Sequence, residues 1–282
     1  MHPATPLDRV AIIGVGLIGA SVGLGLANAG VRERIGFDAD AGTAEAALRA
    51  GAISRSAATL EAAVHGADLV VLAAPLSEVL RMLPVVARTI PGSCVVTDVC
   101  GVKTQLVEEG ERHLGGRFVG GHPMTGSEKS GPASASAELF RGAPWIVTPT
   151  DLTRSESLET LHVLVAALGA EMVRMPPREH DRLVAALSHL PHIAAYALAD
   201  VVCGTHPGWS RLCGGSLRDG TRVAQSSPEM WADLLLANRN EVAPAVRELA
   251  QWLLGAADAL DSGDRLELMH ALARAHRSRT TH

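Results

Sequence analysis

Residues 10–21 read VAIIGVGLIGAS, and this stretch decides the fold. Val10 to Ile13 is a short apolar run of β type, and Leu17 to Ala29 is a small-residue, apolar run suited to a helix. Between them Gly14, Gly16 and Gly19 form G-x-G-x-x-G. Gly14 permits a tight strand-to-helix turn, Gly16 lets the backbone approach a pyrophosphate, and Gly19 lets helix and strand pack closely. The first helical turn, with Leu17 and Ile18, presents N–H groups and a positive dipole end to phosphate oxygens. Asp38 ends the next apolar run, IGFD, nineteen residues beyond Gly19. Strand, turn, helix and acid at this spacing predict a dinucleotide site. A carboxylate there accepts hydrogen bonds from ribose hydroxyls and repels a 2′-phosphate. Ala39 and Asp40 supply no arginine for such a phosphate, so NAD is expected rather than NADP.

Val10 to Val31 carries no charge and is long enough to be weighed as a membrane or signal segment. Six glycines in that run and the charged Arg32-Glu33-Arg34 directly after it argue against both. The chain has 282 residues, 47% of them hydrophobic and only 3% aromatic, so a sizeable core must be built from Ala, Leu and Val. A formal charge of −5 gives no basic footprint for nucleic acid. Cys94, Cys100, Cys203 and Cys213 are scattered without a C-x-x-C pair, so neither a disulfide framework nor a metal site is indicated. A reducing cytoplasm is the expected location.

Further apolar runs predict strands at Ile35–Phe37, Leu69–Ala73, Cys94–Thr97, Phe118–Val119, Trp145–Val147 and Glu171–Met175. Several are continuous rather than alternating, as in strands buried on both faces of a parallel sheet. Helices are expected over Ser77–Thr89, Lys103–His113 and Ser155–Leu168, with Pro84 kinking or restarting the first. This is a doubly wound, Rossmann-type α/β pattern over residues 1–175. Pro176 and Pro177 end it, and residues 176–282 read as a smaller all-α domain. Its expected helices are Arg178–Leu187, Ile193–Cys203, Pro228–Leu254 and Asp264–Arg274, with a polar, basic tail expected to fray. A helical domain with no second layer completes its core by association, so a homodimer is expected.

Ligands of open α/β sheets sit beyond the carboxyl ends of the strands. Three loops fall there: Ala73-Ala74-Pro75, DVCGVK from Asp98 to Lys103, and GGHPMTGSEKSG from Gly120 to Gly131. Ala74, Pro75 and Asp98 are therefore further candidates for cofactor contact. His122, in what reads as a glycine-flanked turn, is the candidate general base. SHLPH carries His189 and His192 across Pro191. They read as a helix-start pair packed on the other domain rather than as metal ligands. Arg218, Asp219 and Arg222 follow in SLRDGTR, where an arginine is either a carboxylate clamp or a solvated side chain.

These motifs together resemble the prephenate/arogenate dehydrogenase family of tyrosine biosynthesis. GVGLIGASVG, DVCGVK, GGHPMTGSEKSG, SHLPHIAAYAL, the GTR-A-SSPEMW segment and LLANRNEV carry the likeness, which runs from Val10 to about Leu272. The resemblance implies an NAD-dependent oxidative decarboxylation of prephenate to 4-hydroxyphenylpyruvate, with no metal. His122 matches the family's catalytic histidine, Arg222 the arginine that binds substrate carboxylate, His192 a histidine near the substrate, and Lys103 a lysine beside the site. Glu128 and Asp219 match acidic residues of the same polar network. One departure stands out. Many members have a serine supporting the catalytic histidine where this chain has Gly101, so Ser127 or a water is expected to orient His122. Arogenate or an amino-substituted prephenate is the alternative substrate, and an NAD-binding sensor without turnover is the alternative class. A β-hydroxyacid dehydrogenase would need a lysine motif on the inter-domain helix that is not found.

Overall fold

Most of the sheet is laid down by short apolar runs that the chain spaces with helices. The structure, a computed structural model, describes residues 7–125, 130–203 and 213–280. The first part runs β1 (Arg9–Ile13), α1 (Leu17–Asn28), β2 (Glu33–Phe37), α2 (Ala41–Arg49), β3 (Arg55–Ser56), α3 (Leu60–Val64), β4 (Leu69–Leu72), α4 (Leu76–Thr89), β5 (Val95–Asp98), α5 (Thr104–Leu114), β6 (Phe118–Pro123), β7 (Pro144–Thr148), α6 (Ser155–Ala167) and β8 (Glu171–Arg174). The strands form one sheet in the order β3-β2-β1-β4-β5-β6-β7-β8. Every neighbouring pair is parallel except β6 with β7. Val10 to Ile13 and Leu69 to Leu72 have no exposed surface, because helices cover both faces of the sheet. The strand order reverses between β1 and β4, which opens a crevice at their carboxyl ends.

The sheet domain departs from the sequence expectations at three places. The two-residue β3 lacks an apolar run and was not foreseen. Helix α4 passes through Pro84 as a single helix, without a restart. Strand β6 extends to Pro123, so His122 stands in a strand opposite Ile146 of β7, not in a turn. Gly120 and Gly121 serve close packing instead: a Cβ would lie 2.4 Å from Thr148 Oγ1 at the first and 2.7 Å from the Asp98 carbonyl oxygen at the second.

Beyond Pro176 the chain is helical: α7 (Pro177–Val184), a π-turn (Ala185–His189), α8 (Leu190–Cys203), α9 (Gly215–Thr221), a 3-10 turn (Arg222–Gln225), α10 (Pro228–Ala237), α11 (Arg239–Asp261) and α12 (Arg265–Thr280). The π-turn joins α7 to α8 without the expected gap. Pro191 has no N–H to give the preceding turn, and the widened register absorbs that loss. The single helix expected over Pro228–Leu254 divides at Asn238, whose side chain turns into the core to donate to the Asp181 carbonyl at 2.8 Å. Helix α12 continues past Arg274, where fraying was expected.

The glycine turn yields a stability test. A Cβ at Gly19 would sit 1.9 Å from the Gly14 carbonyl oxygen, whereas one at Gly16 would meet nothing within 4 Å. Gly19→Ala should cost about 1–3 kcal/mol in urea unfolding, and Gly16→Ala distinctly less. Equal losses would refute the close-packing role of Gly19.

Candidate active site

The turn after β1 has the geometry a dinucleotide needs. Gly14 has φ +86°, closed to other residues, and its N–H donates to the Phe37 carbonyl at 2.8 Å. Gly16 precedes α1 with no side chain capping that helix, so the helix N-terminus is free to face an anion. Asp38 holds the turn from the end of β2: its Oδ2 accepts from the Val15 N–H at 2.9 Å and its Oδ1 from the Asp40 N–H at 3.0 Å. It also borders a cleft of about 530 Å³ with Phe37, Ala39 and Ala58. Ala74 is partly open and Pro75 exposed at the carboxyl end of β4.

Asp98 and Lys103, expected to touch ligands, are wholly buried and ion-paired with each other. Asp98 further accepts from the Cys100 N–H at 2.7 Å and the Gly121 N–H at 3.1 Å. Neither side chain faces open space. They brace the DVCGVK loop against β6 and put a fixed charge pair behind His122. Burial, with Asp98 adding to it, pushes the Cys100 thiol up, so it is no nucleophile.

His122 lies three strands along the same sheet edge from β1, about 14 Å at ordinary strand spacing. Its Nδ1 is 2.8 Å from Nε2 of His180, whose Nδ1 is 2.8 Å from Asp181 Oδ1. Asp181 also accepts from the main-chain N–H groups of Lys103 (2.7 Å) and Thr104 (2.8 Å). The partner of His122 left open by Gly101 is therefore His180. A Cβ at Gly101 would lie 3.9 Å from His122 Cε1 and Nε2, and 3.1 Å from Leu234 of α10. The helical part thus comes up beside the imidazole, which is half-buried. His180 and Asp181 were read only as residues of a helix. The legible signal was a His-Asp pair on the face that also carries the buried Val184.

His189 and His192 pack within the helical part rather than against the sheet. His192 stacks on Trp231 with ring centroids 3.6 Å apart, and its Nδ1 is 2.9 Å from the Ser188 carbonyl oxygen. His189 meets the same indole edge-on at 5.9 Å and lies 3.1 Å from Asn238 Nδ2. Arg222, at the start of the 3-10 turn, is exposed and near enough to His192 to lower its pKa, behind the larger effect of burial. His189 likewise lies near enough to His122 to add to the lowering of its pKa, behind burial. Trp231 thus sits between His189 and His192. Asp219 is exposed on α9. Glu128 and Ser127 lie outside the described residues. Among the described residues, no group of three or more His, Cys, Asp or Glu side chains could hold a metal ion. Nor is any helix among them long and apolar enough to cross a membrane.

Two family models match the chain: prephenate dehydrogenase, nucleotide-binding domain, over residues 22–174, and prephenate dehydrogenase, dimerization domain, over residues 176–274. The prephenate dehydrogenase of Bacillus subtilis is 38% identical over 83% of this chain. That of Lactococcus lactis is 33% identical over 82% of it. The chain spans 65% of the length of each of these relatives. A crystal structure of prephenate dehydrogenase from Aquifex aeolicus, in complex with hydroxyphenyl propionate and NAD+, superposes with a TM-score of 0.90 at 29% identity. It covers 98% of this chain and 99% of that one.

Burial makes the site acid-sensitive. It lowers the pKa of His122 well below the ordinary imidazole value, with the neighbouring His180, Lys103 and His189 adding to this and Asp181 opposing it. Burial also lowers His180, with Asp181 opposing, and takes His189 to about 4. The unfolded chain takes up protons on all three as pH falls through ~6.5, and the folded chain only at lower pH, so stability falls as pH drops through that value. Unfolding free energy should fall by about 2–4 kcal/mol between pH 7.5 and 5.5. Urea titrations giving the same value at both would contradict neutral rings at His122, His180 and His189.

Proposed function

The chain belongs to the prephenate dehydrogenase family, and from that premise we propose that it oxidises prephenate to 4-hydroxyphenylpyruvate with NAD, releasing carbon dioxide. The observation that carries this reading is His122. It is a half-buried imidazole whose pKa desolvation lowers, on the sheet edge that also carries the open glycine turn, with Leu234 of α10 beside the neighbouring Gly101. The turn fits the cofactor: the space around Gly16 is free, α1 has no side-chain cap, and Asp38 stands at the cleft. When bound, NAD supplies the hydride acceptor.

The chain's own residues then have four tasks. His122 takes the proton of the ring hydroxyl. Arg222 holds a substrate carboxylate, with His192 beside it. Leu234 and Trp231 keep water from the reacting ring. The buried Asp98–Lys103 pair fixes the loop beneath. Aromatisation of the product drives the loss of carbon dioxide, so positioning is the main demand on the protein.

We assign the dinucleotide to residues 1–175 and substrate closure and pairing to residues 176–282. Leu254, Leu260 and Leu266 are each more than half exposed (65%, 65% and 59%). An apolar face of this kind on α11 and α12 supports a homodimer through the helical part. Free thiols at Cys94, Cys100 and Cys213 accord with a cytoplasmic location.

Formation of NADH on adding prephenate, with arogenate in parallel, tests the reading. Prephenate is expected to be the better substrate. Faster turnover of arogenate would reassign the substrate, and silence with both would leave a non-catalytic NAD-binding protein. His122→Ala should lower kcat by roughly 10²-fold or more while NAD still binds. Arg222→Ala should raise KM for the acid by about tenfold, and an unchanged KM would move the clamp elsewhere. Asp38→Ala should narrow the preference for NAD over NADP, which a wild type already preferring NADP would contradict.

A further inference from the structure

The reading above asks the chain for a base and a clamp, and leaves His180 and Asp181 unused. Yet these two side chains decide where the protons on His122 sit. Asp181 accepts from two main-chain N–H groups, those of Lys103 and Thr104. A carboxylate so placed is held ionised and has only lone pairs to offer. His180 Nδ1, 2.8 Å from Asp181 Oδ1, must then carry a hydrogen. A neutral His180 is left with a bare lone pair on Nε2. That lone pair faces His122 Nδ1 at 2.8 Å, so Nδ1 of His122 carries the hydrogen in turn. The remaining lone pair of His122 is on Nε2, the edge that lies against Gly101.

We infer that His180 and Asp181 are positioning residues for the proton transfer: they lock His122 in the tautomer whose lone pair is on Nε2, and they receive the positive charge that the transfer creates. This rests on the reading of His122 as base. In the step, the substrate O–H bond breaks as an Nε2–H bond forms on His122. The Nδ1–H bond of His122 breaks as an Nε2–H bond forms on His180. The charge comes to rest on His180, against the Asp181 carboxylate. After product leaves, the two transfers reverse and the proton leaves His122 Nε2 for water, so no further reactant is required.

The surrounding charges favour this. The groups facing the two rings are Asp98 and Lys103 from β5 and its loop, Asp181 from α7, and His189 from the π-turn. With every ring neutral, Lys103 (+1), Asp98 (−1) and Asp181 (−1) sum to −1. One proton on the His122–His180 pair brings the enclosure to zero. A proton left on His122 alone would sit farther from Asp181, the one carboxylate that Lys103 does not neutralise.

Long-range ¹H–¹⁵N spectra of the full chain, labelled at histidine, read the tautomer directly. His122 and His180 are identified by the signals lost in His122→Asn and His180→Gln. Both are expected protonated at Nδ1 and bare at Nε2, and a proton on Nε2 of His122 in the free protein would overturn the inference. The spectrum needs no substrate, so it separates this inference from the oxidation reading. In turnover, His180→Gln keeps an acceptor near the Nε2 position but cannot take a proton, and His180→Leu offers neither. Expected kcat losses are about tenfold for Gln and roughly 10²-fold for Leu, with KM for the acid and for NAD little changed. Equal losses in two folded variants, or none in either, would leave His180 with a packing role only.

Discussion

Asp181 ties the molecule together. Helix α5 starts at Thr104, and Lys103 before it provides no side-chain cap. The first N–H groups of a helix must find acceptors, and an anion there also meets the positive end of the dipole. Asp181 supplies both from 77 residues along the chain, through the N–H groups of Lys103 and Thr104. The same carboxylate anchors His180, and its carbonyl accepts from Asn238. One residue thus caps a helix of the sheet domain, aligns the imidazole pair and pins the break between α10 and α11. Removing it would strand several buried polar groups at once, each expensive to leave unpaired.

Around that joint the site is a compromise between closeness and charge. Gly120 and Gly121 let β6 approach Thr148 and the Asp98 backbone, and Gly101 leaves room for Leu234 beside the imidazole. A side chain at any of them would push the layers apart. Into this tight volume the protein puts a buried ion pair, Asp98 with Lys103, with two main-chain N–H groups satisfying more of the carboxylate. Buried pairs stabilise only when their remaining valences are met in this way. The result is a rigid pair of fixed charges beside His122. A serine at position 101 would compete with Leu234 for the same space. The chain therefore holds His122 from its other nitrogen.

The glycine turn, Asp38, His122 and the change from mixed to helical structure near Pro176 were all legible in the sequence. Each is local: a turn, a dipole and a periodicity act over a few residues, and their chemistry is written in adjacent letters. The misreadings concern direction and depth. Lys103 and Asp98 stand in a loop pattern that suggests ligands, but their side chains point inward at each other. Pro191 predicts a gap that a π-turn removes, and Asn238 breaks a helix whose apolar spacing gives no warning. The pair His180-Asp181 looks like ordinary helix surface until α5 and β6 are brought against it.

By itself, then, the sequence determined the kind of sheet and the place of the dinucleotide turn, and it singled out Asp38 and His122 as candidates. Only the tertiary structure decided which groups surround that imidazole and which way it faces. Burial, ion pairing and proton placement are properties of neighbours in space, and His122, His180, Asp181 and Asn238 become neighbours only when segments more than 50 residues apart close on one another.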